Sequence, residues 1–132
     1  MLGSNYAPPL TMGTKEYWDN VSAHKFVLPQ CGQCKEYHYY PRLYCPHCES
    51  DQITAVEASG LGILYSFSIV RLRLHPLPED WPVPFVVGLV ETSEGPIMMA
   101  NIVNCEFENL KIGMELQVNF DAGPFPVFEP AK

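Results

Sequence analysis

The sequence predicts a mainly β chain in which one short helix and a four-cysteine segment precede a small barrel. Thirteen prolines and nine glycines are spread along the chain, which favours short strands and turns over a helical bundle. Four of the five cysteines repeat a C-x2-C spacing, and the residues after them alternate apolar and polar at period two. At 132 residues with 47% hydrophobic and 17% charged content, the chain has the composition of a folded domain, which excludes disorder along most of its length.

Residues 1–13 hold Gly3, Pro8, Pro9 and Gly13 without an apolar period and read as a tail. Thr14 is the expected N-cap of a helix over residues 15–25, with Glu16 and Asp19 where the helix dipole favours acids. Tyr17, Trp18 and Val21 form its apolar side. A helix this short is marginal alone, so these residues must pack on the same chain or on a partner protein.

Cys31, Cys34, Cys45 and Cys48 form two C-x2-C pairs separated by ten residues. Two such turns supply the corners of a tetrahedron around Zn²⁺, with a small hairpin over residues 35–44 bringing them face to face. Disulfides fit poorly with an intracellular chain carrying an odd cysteine, and a redox C-x-x-C leaves the second pair unexplained. Iron on four thiolates remains chemically open. Four thiolates leave no open coordination position, so the metal is expected to be structural, one ion holding a segment too small to fold on apolar burial. His38 and His47 read as surface or neighbouring residues rather than ligands. Cys105 reads as a partly buried residue at a strand end.

Strands are expected at residues 53–58 and 63–74. In the second, Ile63, Tyr65, Phe67 and Ile69 share one face, and Arg71 and Arg73 continue it as the strand leaves the core. Residues 75–84 contain four prolines and Trp81 and form a loop. Strands over 85–91 and 96–103 flank a Thr92-Ser93-Glu94-Gly95 turn. Leu110-Lys111-Ile112-Gly113 turns into a strand carrying Leu116, Val118 and Phe120, and residues 125–128 add a last edge segment. Met98 and Met99 read as core or interface filler. This series suits a small Greek-key barrel of the OB type, with an SH3-like barrel as the structural alternative. The chain then divides into a tail and helical arm (1–28), a zinc ribbon (29–52) and an OB-fold domain (53–132).

Eight Lys and Arg against fifteen Asp and Glu give a net charge of −7. Residues 1–52 are near balance at −1, whereas residues 53–132 carry four basic and ten acidic groups, net −6. That is the wrong sign for a polyphosphate backbone laid on the barrel, which disfavours the alternative of a single-stranded nucleic-acid-binding ribbon and barrel. No stretch reaches the roughly 18 apolar residues of a membrane span, and the N-terminus lacks a basic-then-apolar leader pattern. The expectation is a cytoplasmic protein without membrane association.

Helical arm, four-cysteine ribbon and OB-like barrel, in that order, resemble the Zn-ribbon OB-fold proteins of domain of unknown function 35, whose ribbon is rubredoxin-like. The carriers are Tyr17-Trp18, Cys31-Gly32-Gln33-Cys34, Cys45-Pro46-His47-Cys48, the run from Gly60 to Tyr65-Ser66-Phe67, Pro84 to Glu91, and Asn101 to Val118. Lys35 and Glu49 depart from the glycine common after the second cysteine of such turns. The resemblance implies a non-catalytic accessory or scaffold subunit of a hetero-oligomer. Such a subunit binds acyl-CoA or supports a thiolase-like or related acyl-CoA enzyme of lipid metabolism. On that reading Arg71 and Arg73 are candidate CoA phosphate contacts, or simply solvated arginines, and Trp18 and Trp81 are candidate partner-interface anchors.

Overall fold

In the computed structural model the described residues are 10–73 and 81–132. Helix α1 spans Lys15–Ser22, with Tyr17, Trp18 and Val21 as its buried face. Thr14 stands at the N-cap without a side-chain capping bond; its Oγ1 instead accepts the Thr11 amide at 3.0 Å. The helix ends before Lys25 because His24 enters the left-handed region (φ 58°) and its amide bonds back to the Val21 carbonyl. Trp18 is only 9% exposed and packs with Tyr17, Val21 and Val27, so the arm is docked on its own chain.

Strand β1 (Val27–Cys31) pairs antiparallel with β2 (Ile53–Glu57) in a two-stranded sheet. The strand at 53–57 therefore closes the cysteine segment instead of entering the barrel. The expected hairpin over 35–44 is absent. That spacer makes one isolated bridge, Gln30 to Tyr37, and the His38 amide donates to the Pro29 carbonyl at 3.1 Å. Beyond His38 the Tyr39 and Tyr40 rings pack against α1 and Pro41 has no ladder donor, which turns the segment away from strand pairing.

The barrel strands are β3 (Leu61–Val70), β4 (Phe85–Thr92), β5 (Ile97–Ile102), β6 (Glu115–Asn119) and β7 (Val127–Pro130). They close in the order β3-β4-β5-β7-β6, with β5 and β7 parallel and the other pairs antiparallel. This is the five-stranded OB arrangement. A 3-10 turn, Phe107–Asn109, precedes the Gly113 turn, where φ of +94° favours glycine. No described helix is long and apolar enough to cross a membrane.

Three sequence expectations change here. The single face expected along β3 is split by a bulge at Tyr65, where the β4 register shifts between Leu64 and Ser66. Before it, Gly62 and Leu64 point inward while Ile63 and Tyr65 face out; after it, Phe67 and Ile69 turn toward the core. The strand also stops at Val70, so Arg71 and Arg73 lie beyond it. Finally, β7 is no edge: it lies between β5 and β6 with Val127 and Phe128 at 0% exposure. Part of the predicted proline loop, residues 74–80 with His75, lies outside the described residues.

The core joins both sheets. Leu64, Val90, Met98, Leu116 and Phe128 fill the barrel, and Phe26 and Leu28 from the β1 side belong to the same cluster. The Phe26 and Phe128 rings meet edge to face, 5.9 Å apart.

Candidate metal centre and aromatic groove

The two C-x2-C turns are built alike. Lys35 N–H donates to the Cys31 carbonyl and Glu49 N–H to the Cys45 carbonyl; Cys31 N–H reaches Glu36 O and Cys45 N–H reaches Ser50 O. Lys35 and Glu49 both adopt the left-handed conformation, φ 67° and 66°. The turn thus forms without glycine, and both side chains are exposed, where they meet no packing obstacle.

The four sulfurs lie within 4.8 Å of one another. Cys31 Sγ is 3.5 Å from Cys48 Sγ, and Cys34 Sγ is 3.7 Å from Cys45 Sγ. Zn–S bonds of about 2.3 Å in a tetrahedron place sulfurs about 3.8 Å apart, so the cluster fits one ion with little rearrangement. Backbone amides of Gln33 and Cys34 point at Cys31 Sγ, and that of His47 at Cys45 Sγ, at 3.3 to 3.4 Å. The Cys34 amide, more than that of Gln33, holds the Cys31 thiol down to about 6 although burial opposes it. At Cys34 the Glu36 amide pulls down, but burial and the neighbouring thiols outweigh it and push the group up to about 12. None of the five cysteines is in a disulfide.

The second feature is an aromatic groove of about 710 Å³ between α1, the spacer and the β4–β5 wall. Trp18 and Trp81 both line it, with Tyr39, Tyr40, Phe85 and Phe125. Trp18 Nε1 donates to Tyr40 Oη at 2.8 Å, and Trp81 stacks on Phe125 at 5.8 Å. Burial foremost, then the phenols of Tyr39 and Tyr40, push the Tyr17 hydroxyl well above its ordinary range, so it stays neutral. The two tryptophans are expected from the sequence; Tyr39, Tyr40, Phe85 and Phe125 are not, and their aromatic character is the one signal that points to them.

Arg71 and Arg73 are both exposed but do not project together from a strand. The Arg71 guanidinium lies 5.9 Å from the centre of the Phe107 ring, whereas Arg73 Nη2 donates to the Trp81 carbonyl. Only Arg73 is thereby tied to a groove-lining residue. Cys105 Sγ contacts the Glu106 carbonyl, and burial, then the carboxylates of Glu106 and Glu108, raise its pKa. That is the reverse of an activated nucleophile.

Residues 18–54 match the family model described as ChsH2, rubredoxin-like zinc ribbon domain, and residues 55–121 match ChsH2, C-terminal OB-fold domain. The chain belongs to the ChsH2-type DUF35 family. The four clustered cysteines are accordingly those of its zinc ribbon, a site for one structural ion. A DUF35 domain-containing scaffold protein of Pyrococcus furiosus is 33% identical over 109 residues, 81% of this chain and 77% of its own length. A probable enoyl-CoA hydratase alpha subunit of Thermomonospora curvata is 32% identical over 128 residues, 94% of this chain. This chain spans only 39% of that relative's length. Among solved structures, one described as Ltp2-ChsH2(DUF35) aldolase superposes with a TM-score of 0.82 at 30% identity, covering 96% of this chain and 100% of the other. A DUF35 protein from Sulfolobus solfataricus, 14% identical with a TM-score of 0.63, shares the fold.

Proposed function

We propose that this chain is a non-catalytic scaffold subunit of an acyl-CoA-processing enzyme of the hydratase, aldolase or thiolase type. The observation that carries the reading is the chain-long superposition on a DUF35 chain whose name joins it to an aldolase. Relatives named as scaffold proteins and as a hydratase alpha subunit support it. So does the raised pKa of the Cys105 thiol, the one cysteine outside the ribbon.

In this reading the ribbon and barrel hold the aromatic groove open, and the groove takes the acyl or pantetheine part of a CoA ester. This reading assigns the CoA phosphates to Arg71 and to Arg73, which also donates to the Trp81 carbonyl. The test is affinity purification from the native source followed by mass spectrometry, with calorimetric titration of acetyl-CoA and longer acyl-CoAs into wild type and Arg71→Ala. Stoichiometric recovery of an acyl-CoA enzyme is expected. A lone monomer without affinity for any CoA ester would overturn the reading.

A further inference from the structure

The outer wall of the barrel carries exposed apolar side chains, of which Met99 also lines the groove while Leu61, Ile63, Tyr65 and Ile97 do not. On β3, before and at the bulge, Leu61, Ile63 and Tyr65 are 48%, 44% and 54% exposed; on β5, Ile97 and Met99 are 41% and 66% exposed. Registers make these one surface. Ile63 sits opposite Glu91, which sits opposite Ile97, and Met99 sits opposite Leu89, whose other neighbour is Ser66. The bulge bounds the patch: Leu61, Ile63 and Tyr65 face out by simple alternation, and beyond Tyr65 the shifted register sends Phe67 and Ile69 inward.

Charge on the wall has one sign. Glu115 is the β6 partner of Ile63, so the row across four strands reads Glu115, Ile63, Glu91, Ile97, with both carboxylates exposed. None of the five barrel strands contains a Lys or Arg. The only ion pair found among the described residues is Lys15 with Asp19, on α1. Covering this wall with a second copy would set Glu91 and Glu115 against like charges as water is expelled, which is unfavourable. A partner that brings its own cations gains the apolar area and neutralises the row.

We infer that the outward β3–β4–β5 wall, centred on Ile63, Tyr65 and Met99, docks an apolar surface of the partner enzyme that presents Lys or Arg to Glu91 and Glu115. The inference rests on the scaffold reading above and adds which face binds and what chemistry it meets. It leaves the groove, reached through Met99, to the substrate.

The experiment uses the zinc-loaded chain and the acyl-CoA enzyme recovered with it, titrated by biolayer interferometry. Met99→Asp and Ile63→Asp should each weaken binding by about 100-fold, as expected for central apolar anchors. Glu91→Lys should weaken it by about 10-fold and abolish part of the salt dependence. Leu43→Asp, on the ribbon side, should change it less than about threefold, within the range of neutral surface positions. Thermal melts of each variant check that the fold is kept. Unchanged affinity in Met99→Asp and Ile63→Asp would overturn the inference while leaving the scaffold reading intact. Failure of wild type to recover any acyl-CoA enzyme would overturn both. A wild-type dimer in sedimentation that Met99→Asp dissolves would assign the wall to a second copy and also refute the inference.

Discussion

Two glycines inside the barrel give a quantitative test of how tightly it closes. A Cβ added at Gly88 would lie 2.8 Å from Ile102 Cγ1, 2.9 Å from Ile102 Cδ1 and 3.2 Å from Leu64 Cδ1. Carbon atoms prefer about 3.5–4.0 Å, so the methyl overlaps three side-chain atoms. Overpacking of this kind costs roughly 1–3 kcal/mol, and stiffening of the unfolded chain returns about 0.4–1 kcal/mol. Gly88→Ala should therefore lose about 1–2 kcal/mol in urea unfolding of the zinc-loaded protein. At Gly62 the added Cβ would lie 2.6 Å from Val90 Cγ1 and 2.9 Å from the Glu91 carbonyl oxygen. That carbonyl belongs to β4 of the β3–β4 ladder and cannot swing aside, so Gly62→Ala should cost about 3 kcal/mol, the upper end of overpacking. The second mutations differ in the same sense. Ile102→Ala removes both obstructing carbons at Gly88, and Gly88→Ala in that background should couple favourably by at least about 1 kcal/mol. Val90→Ala should not rescue Gly62→Ala to the same extent, because the carbonyl remains. Additive behaviour of the Gly88 and Ile102 changes, or a Gly88→Ala variant as stable as wild type, would refute the packing argument.

Three further outcomes follow from the ribbon and the arm. Cys31→Ser should lower the zinc-to-protein ratio, read by plasma mass spectrometry, more than Cys48→Ser, since Cys31 is fully buried and receives two amide contacts whereas Cys48 is exposed. Equal retention in both variants would contradict this ranking. Trp18→Phe and Tyr40→Phe each break the 2.8 Å hydrogen bond between them. Each should show a coupling to the other of about 0.5–1.5 kcal/mol in a double-mutant cycle of urea midpoints, and zero coupling would remove the bond from the account. His38 is 4% exposed, and burial first, then Arg42 and His47, lower its pKa below 6.5. The unfolded chain therefore binds the proton first as pH falls, so the His38 contribution is complete above pH 6.5 and declines from there toward the lowered folded value. The melting temperature of wild type should fall relative to that of His38→Asn progressively below pH 6.5, so that any advantage of wild type shrinks; a constant difference would show that His38 does not titrate in this way.

Much of this fold was legible because its signals were local. The two cysteine pairs, the Thr92 to Gly95 turn and the Gly113 turn each depend on a few adjacent residues, and each lies where the spacing placed it. What could not be read depends on contacts between distant segments. Residues 53–57 look like any strand, and only the Val27 to Glu57 ladder assigns them to β1. The bulge at Tyr65 leaves no trace in an alternating sequence, yet it decides which residues face water. Trp18 reads equally well as a projecting anchor or a docked one, because the Tyr39 and Tyr40 rings that cover it come from more than twenty residues away. Lys35 and Glu49 teach the opposite lesson: their side chains argue against the left-handed region, and the closure of the turn imposes it.

The shared core gives the metal an effect beyond the ribbon. β1 carries Leu28 in the barrel cluster and ends in Cys31, one of the four ligands, while Phe26 just before it packs on Phe128. A two-stranded sheet of this length is marginally stable at best in water, so without zinc the β1–β2 ladder should fray. Phe26 and Leu28 would then no longer be held over Phe128, and chelation should speed hydrogen exchange at barrel amides such as Val90 and Leu116 as well as at β1. Phe26→Ala, itself costing about 3–5 kcal/mol, removes the main link and should make barrel exchange less sensitive to the chelator. Barrel protection that stays the same when zinc is withdrawn from the wild type would show that the two sheets fold independently despite their common core.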